Sequence, residues 1–505
     1  MIKLVDKLLD HITMYRLVLY YLVALLAAAV ALAAFNVLPH GAKAIAFSTV
    51  LILAACWVTN WGFARVFDVP ANSESIYITA LILVLILDPV APMDLSGVGV
   101  LIAASVWAIS SKYILAIGRK HLFNPAALGV ALTGLLLNHP ATWWVAGNLP
   151  LLAVVLIGGG LLVRKLQRLD LVATFILVNL ATVLATAPPS QYGTALSEAL
   201  RSTPLFFFAF VMLTEPLTAP TTRLPRLAFG ALVGFLFAPN VHVGSFYFTP
   251  ELALLVGNLF AYAAGPKGRF VLTLERIEQA AADTYDFVFK APRKLAFRPG
   301  QYLEWTLGLN RSDSRGNRRY FTVASAPTEE SVRLGVKFYE ASSAFKRALA
   351  AMAPGDTIHA AQLAGNFTLP ANRDTKLVFI AGGIGITPFR SMLHYLLDRQ
   401  EARPIVVLYG AERQQDIAYR DVLDAAEREL GIWTVYAVAK DAIRGQYPGY
   451  IDPKLVREAI PDYKERIFYI SGPQAMVKAI SHKLQRMGVR RSRIKVDFFP
   501  GFSGG

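Results

Sequence analysis

Apolar and polar positions divide the 505-residue chain into two unlike halves. Up to about residue 265 the pattern consists of long apolar runs broken by short polar loops. Crossing a bilayer as a helix takes roughly 17–25 residues. Ten candidate runs fall at about 14–34, 44–64, 75–92, 95–116, 122–138, 148–164, 170–187, 203–220, 226–240 and 244–264. They predict a polytopic α-helical membrane domain over 1–265. Beyond it the stretches shorten and alternate, as in Tyr285–Lys290 and Tyr302–Leu307, and Phe297-Arg-Pro-Gly-Gln-Tyr302 marks a turn into a strand. Short strands separated by Gly, Pro, Asn and Asp predict a small antiparallel β-barrel over 266–373. From 374 to 505 an apolar strand runs into a glycine turn and an amphipathic helix. Further apolar strands follow at Ile405–Tyr409, Trp433–Val438 and Ile467–Ile470. Strand and helix in alternation predict an α/β domain with a doubly wound parallel sheet.

Charge sharpens the division. Only 17% of residues are charged, against roughly 25% in soluble proteins. Of the 85 charged residues, 24 lie in the first 265. The Lys and Arg of that half alternate from loop to loop. Lys3, Lys7 and Arg16 precede the first run, and Arg65 follows the second. Lys112, Arg119 and Lys120 follow the fourth, and Arg164, Lys165 and Arg168 the sixth. Arg223 and Arg226 follow the eighth, and Lys267 and Arg269 the tenth; Lys43 and Arg201 are the exceptions. Positively charged loops stay in the cytoplasm. The expectation is a multi-pass protein of the inner (cytoplasmic) membrane, in contact with lipid, with both termini and the C-terminal half cytoplasmic. No cleavable signal is expected, because the first apolar run is too long for one. The net charge of +15 is dispersed along the chain, so nucleic acid is not an expected partner.

A single cysteine, Cys56, excludes an intrachain disulfide, an all-cysteine zinc site and a four-cysteine iron–sulfur cluster. Electron chemistry would need an organic cofactor, or haem held by histidines. The membrane-half histidines, His11, His40, His121, His139 and His242, all fall at run ends or in loops, and no run carries two. No haem, iron–sulfur cluster or other metal is expected.

Two polar interruptions stand out in the apolar half. Asn124-Pro125 opens a run, as a capping residue and a first-turn proline would, or as part of a site. Glu215 sits inside a run beside Pro216. An acid at membrane depth is costly and reads as functional, unless the run ends early and the carboxylate is wet. Three segments are Ser73-Glu-Ser-Ile-Tyr-Ile-Thr-Ala-Leu-Ile-Leu83, Phe123-Asn-Pro-Ala-Ala-Leu-Gly129 and Thr214-Glu-Pro-Leu-Thr218. Together they resemble the membrane flavoproteins of two ion-coupled complexes, the Rnf complex and the sodium-translocating NADH:quinone reductase. The resemblance implies an inverted-repeat, ten-helix fold that carries electrons through flavin. Those membrane flavoproteins attach FMN to a threonine within Ser/Asp-Gly-Ala-Thr. That motif is missing here; the nearest fragment, Arg201-Ser-Thr203-Pro-Leu205, lacks the Gly-Ala. FMN in the membrane domain, on Thr203 or non-covalent, stays open.

In the second half the chemistry-bearing residues sit at strand ends. Gly382-Gly383-Ile-Gly385-Ile-Thr387-Pro388 lets backbone approach a pyrophosphate at a helix N-terminus. Arg319-Tyr320-Phe321-Thr322 supplies a cation, aromatic faces and a hydroxyl. On a strand, residues 319 and 321 share a face, where Arg319 could pair with a diphosphate and Phe321 stack on a planar ring. The ordered set of Arg-x-Phe-Thr, Gly-Gly-x-Gly-x-Thr-Pro, Tyr409-Gly410 and Ser471-Gly472-Pro473-Gln474 is similar to the ferredoxin–NADP reductase family over about 266–502. That resemblance implies FAD on the barrel, held by Arg319, Tyr320, Phe321 and Thr322, with Thr322 at the flavin ring nitrogen. Lys337, Ser342 and Ser343 would make a second diphosphate contact. Gly382, Gly383, Gly385, Thr387 and Pro388, with Tyr409, Gly410, Arg413, Gly472 and Pro473, would take NADH or NADPH. Ser471 replaces a cysteine beside the nicotinamide, and Phe499 would cover the flavin unless the C-terminal stretch is an ordinary apolar strand. Glu412 suits a ribose hydroxyl and Arg413 a 2′-phosphate, so nucleotide preference stays open.

The expected function is a flavin-dependent NAD(P)H oxidoreductase that passes electrons into or across the membrane, to a quinone or an extracytoplasmic flavoprotein. The alternatives are a redox-driven Na⁺ or H⁺ transporter and a membrane-anchored diaphorase.

Overall fold

The computed structural model describes residues 12–67, 73–117, 120–264, 270–308, 317–340 and 342–497. The chain divides into two compact units, Met1–Gly268 and Arg269–Ser503.

Each apolar run of the first unit contains a helix. These are α1 (Met14–Ala34), α2 (Ala42–Val66), α3 (Ser73–Ile86), α4 (Leu95–Ile114), α5 (Pro125–Leu137), α6 (Leu149–Leu166) and α7 (Leu169–Thr186). After an amphipathic connector, α8 (Tyr192–Arg201), come α9 (Leu205–Phe207), running into a π turn at Phe208–Met212, α10 (Arg223–Leu236) and α11 (Pro250–Ala264). Among the described residues five helices, α1, α2, α4, α6 and α7, are long and apolar enough to cross a membrane. Counting the segments Pro189–Arg201 and Leu205–Met212, bent by 54° at their break, as one broken span gives six. Helix length and composition thus support five or six of the expected ten spans. Prolines and caps shorten the rest. Pro125 and Pro250 sit where helices begin, and Asn138 ends α5 in the left-handed conformation at φ 56°. Pro216 bars the π turn from continuing, because a proline ring collides with the preceding helical turn.

The second unit holds two six-stranded sheets. The first contains β1 (Phe270–Ala281), β2 (Thr284–Lys290), β3 (Tyr302–Thr306), β4 (Arg318–Thr322), β5 (Val332–Lys337) and β6 (Thr357–Ala364). Its order is β4-β3-β6-β1-β2-β5, antiparallel throughout. Alternating residues such as Leu272, Leu274, Phe287, Phe289, Leu303 and Trp305 fill its inner face. The sheet curls, but its edges β4 and β5 share no ladder. Ala324 N–H donates to Arg333 C=O at 2.9 Å just past β4, so the expected barrel is an incompletely closed one. Helix α12 (Ala344–Ala350) packs Phe345 and Leu349 into this core.

The second sheet is built from β7 (Leu377–Gly382), β8 (Ile405–Ala411), β9 (Trp433–Val438), β10 (Tyr447–Pro448), β11 (Ile467–Ser471) and β12 (Ile494–Val496). Its order is β10-β9-β8-β7-β11-β12, parallel throughout. Leu377 to Gly382 is buried at every position, as expected of a central strand covered on both faces. Helices α13 (Thr387–Asp398), α14 (Arg420–Leu430), α15 (Pro453–Ala459) and α16 (Gln474–Arg486) supply that cover.

Candidate functional site

From β7 the chain winds through β8 and β9 to one side, then returns to form β11 and β12 on the other. The order reverses between β7 and β11, and in sheets of this kind the crevice at the strands' carboxyl ends at that point takes the ligand. The motifs 382–388 and 471–473 meet there, with Ala381 opposite Ser471 in the ladder. After Gly382 a 3₁₀ turn, Gly383–Ile386, leads into α13. Thr387 Oγ1 donates to Ile384 C=O at 3.1 Å, and Pro388 occupies the first turn, where its missing N–H costs nothing. A Cβ on Gly385 would lie 2.4 Å from Ser471 O and 2.5 Å from the backbone of Gly472. The two strand ends therefore form a cradle of bare backbone at a helix N-terminus, which fits a dinucleotide pyrophosphate. Ser471 is buried and donates to Asp497 Oδ2 at 3.2 Å, and Pro473 starts α16.

On β4, residues 319 and 321 do share a face. The Arg319 guanidinium lies 5.4 Å from the Phe345 ring centroid, and the Phe321 and Phe345 rings are 6.0 Å apart. Tyr320 points the other way, donating to Glu304 Oε2 at 2.8 Å and meeting Tyr302 edge-on. Thr322 is buried at the strand's end. A cation and an aromatic side by side on one strand face fit a flavin nucleotide's diphosphate and ring. Ser343 caps α12, accepting from Lys346 N–H at 3.3 Å, while Ser342 Oγ donates to Tyr339 C=O at 2.5 Å. Both serines therefore stand at a helix start.

Other expected contacts are placed differently. Lys337 Nζ is 2.8 Å from Asp416 Oδ1, so its charge ties the first sheet to a loop of the second. The Tyr409 side chain is fully buried, and its hydroxyl accepts from Ala418 N–H at 3.1 Å. That ring belongs to the core, and only the strand end around Gly410, opposite Gly382, faces the cradle. Arg413 is exposed, and Glu412 pairs with Lys440 at 2.5 Å. The ammonium beside it holds the Glu412 carboxyl below the usual carboxylate range. Phe499 lies outside the described residues.

In the first unit the two polar interruptions converge. Asn124 caps α5, its Oδ1 accepting from Ala127 N–H at 3.0 Å, and its Nδ2 donates to Glu215 Oε2 at 2.9 Å. Thr218 Oγ1 donates to the same oxygen at 2.8 Å, and His121 Nε2 lies 3.3 Å from Glu215 Oε1. Asn258 on α11 accepts from Asn124 N–H at 2.8 Å. Asn258 Nδ2 is buried without a hydrogen-bond partner among the described residues. Asn124 is thus both a helix cap and a member of a polar cluster. Sequence reasoning did not assign His121, Thr218 or Asn258 to this cluster, although Thr218 lies in the Thr214–Thr218 segment and Asn258 is a polar residue inside an apolar run. Thr203 stands apart, its hydroxyl donating to Ala199 C=O at 2.6 Å at the end of α8.

Replacing Asn124 by alanine removes a cap worth about 1 kcal/mol and leaves Glu215 short of a donor, about 1–3 kcal/mol more. Thermal unfolding of the detergent-solubilised chain is expected to show a clearly lower midpoint for Asn124→Ala than for Thr203→Ala. Equal midpoints would mean that the cluster adds no stability.

Residues 135–263 match the NQR2, RnfD, RnfE family, and residues 379–482 match the oxidoreductase NAD-binding domain. A flavohemoprotein of Oceanobacillus iheyensis is 28% identical over 211 residues, covering 40% of this chain and 51% of that protein. A flavohemoprotein of Burkholderia sp. is 30% identical over 209 residues, covering 41% of this chain and 52% of that protein. The chain thus spans about half the length of these curated relatives. Among solved structures, a ferredoxin NADP⁺ reductase from Neisseria gonorrhoeae with bound FAD and NADP covers 46% of this chain and 99% of its own at 20% identity, with a TM-score of 0.40. One chain thus carries a segment similar to the NQR2, RnfD, RnfE family and, after it, a segment similar to the oxidoreductase NAD-binding domain.

Proposed function

We propose that this chain takes reducing equivalents from NADH or NADPH at its C-terminal module and passes them into or across the membrane, to a quinone or an extracytoplasmic flavoprotein. The observation that carries this reading is the fusion itself: a nicotinamide cradle and a flavin-type strand share one unit, on the same chain as a set of apolar helices. FAD, when bound, would supply the conversion of a two-electron donor into single electrons.

The chain's own residues bind and orient. Arg319 would pair with the diphosphate, Phe321 would line the flavin, and Thr322 would offer a hydroxyl at the strand end. The Gly382–Thr387 turn would hold the nucleotide phosphates, and the buried Ser471, hydrogen-bonded to Asp497, would set the nicotinamide. The division into 1–265, 266–373 and 374–505 belongs to the same proposal. So do ten crossing segments, counted from the apolar runs, and an inner-membrane protein with both termini cytoplasmic, inferred from the Lys/Arg alternation.

The test is a flavin inventory of the detergent-purified protein, comparing acid-released FAD and FMN with flavin that stays on the denatured chain, followed by mixing with NADH or NADPH. One released FAD per chain, bleached by either nucleotide, is the expected result. A chain that binds no flavin would overturn the proposal. A second flavin, in the membrane unit, would make the trans-membrane route the leading one.

A second reading, redox-driven Na⁺ or H⁺ movement, draws on the buried cluster around Glu215. It predicts ²²Na⁺ uptake or lumen acidification on NADH addition to proteoliposomes, lost in Glu215→Gln.

A further inference from the structure

We infer that Arg390 and Ser391 are positioning residues that lock the nucleotide cradle onto the segment behind β4 and so set the distance over which hydride would pass. This rests on the proposed NAD(P)H-to-flavin reaction.

Arg390 is the fourth residue of α13, one turn past the glycine turn, and only 6% of it is exposed. Its guanidinium grips both Glu329 oxygens, Nη1 to Oε2 at 2.6 Å and Nη2 to Oε1 at 3.0 Å, and Nη1 also donates to Ala324 C=O at 2.9 Å. The next residue, Ser391, is fully buried and donates to Ser325 C=O at 2.7 Å. Ala324 and Ser325 lie two and three residues beyond Thr322. Glu329 is braced in turn, accepting from Ala326 N–H at 2.5 Å. Burial alone would raise the Glu329 carboxyl, but the hydrogen bonds and charge of Arg390 outweigh it and hold the group below the usual carboxylate range.

A second contact points the same way. Tyr419, at the start of α14, donates to Asp286 on β2 at 2.5 Å. A Cβ on Gly335 of β5 would stand 2.4 Å from the Tyr419 hydroxyl and 2.8 Å from Thr387 Cγ2. The first sheet therefore needs bare backbone at 335 to let the cradle's helix start approach. Arg390 and Ser391 lie within a turn of Thr387, and their backbone partners Ala324 and Ser325 lie within three residues of Thr322. Little slack separates the lock from the reacting atoms.

Reactants must meet at about 3–3.5 Å, and a displacement of about 1 Å costs on the order of 10²-fold in rate. Arg390→Ala in the full chain is expected to keep its FAD and to change KM for the nucleotide by less than about threefold. Flavin reduction should slow about 10- to 100-fold, and the long-wavelength charge-transfer absorbance of the nicotinamide–flavin pair should be lost. Without any ligand, amides at 324–326 should exchange faster by mass spectrometry. Lysine has no fork to span Glu329 and Ala324 C=O together, so Arg390→Lys should recover the rate only in part; Ser391→Ala should fall between it and wild type. These two variants carry the test if Arg390→Ala does not fold. Wild-type reduction rate and charge-transfer absorbance in the variants would overturn the inference. If the unsubstituted chain is not reduced by either nucleotide, the proposed function fails instead, and unchanged amide exchange in the variants would separately overturn the lock.

Discussion

Gly385→Ala is expected to lower kcat/KM for NADH or NADPH by at least about 100-fold while leaving the FAD content intact. The added Cβ would meet Ser471 O at 2.4 Å and Gly472 backbone atoms at 2.5 Å. These are main-chain atoms, so no side chain can rotate to relieve the clash. Relief requires parting the ends of β7 and β11, where Ala381 faces Ser471, at an overpacking cost of about 1–3 kcal/mol. The chain should still fold, because those strands are paired from Leu377 opposite Ile467 onward. The crevice, however, would open at the point where the nucleotide must be held, and Ser471 would move with it. Rapid mixing of the flavin-loaded variant with nucleotide, followed by flavin bleaching, measures the loss, and acid-released FAD measures the retained cofactor. An unchanged rate would show that the close approach of the two strand ends plays no part in nucleotide binding.

Arg319→Ala is expected to strike the other half of the site. A guanidinium paired with a diphosphate makes charge-assisted hydrogen bonds worth about 2–3 kcal/mol, or roughly 30- to 150-fold in the FAD dissociation constant. Arg319 also lies over the Phe345 ring, so some packing is lost as well. Arg319→Lys keeps the charge without the planar fork and should recover only part of the affinity. Titration of the deflavinated full chain, read by quenching of FAD fluorescence, gives the number directly. Wild-type affinity in Arg319→Ala would mean that the diphosphate is held elsewhere, and the assignment of β4 as the flavin strand would fall.

The motifs that were legible are local ones. A strand, a glycine turn and a proline-led helix over 377–398 follow from neighbours in sequence, since each residue's conformational preference acts within one turn. The same holds for Ser343 as a helix cap and for the shared face of Arg319 and Phe321. Side chains read one by one fared less well. Lys337 looked like a phosphate contact, yet the fold spends its charge on Asp416, 79 positions away. Tyr409 lies near the end of an apolar strand and looked like a nucleotide contact, but two-sided cover on β8 puts its ring in the core. Nothing in the local pattern separates an aromatic that ends a strand in a crevice from one that ends it in a core.

What the sequence alone determined is the order of materials: apolar runs, then a short-stranded sheet, then strand–helix alternation, with chemistry at strand ends. Periodicity, turn residues and caps all act at short range and survive in the linear pattern. The tertiary structure decided which distant groups meet. His121 reaches Glu215 across 94 positions, Asn124 meets Asn258 across 134, and Arg390 grips Glu329 across 61. A buried polar group must find a partner wherever the packing brings one, because leaving it bare costs about 1–3 kcal/mol. That demand selects partners by proximity in space, and spacing along the chain holds no record of it.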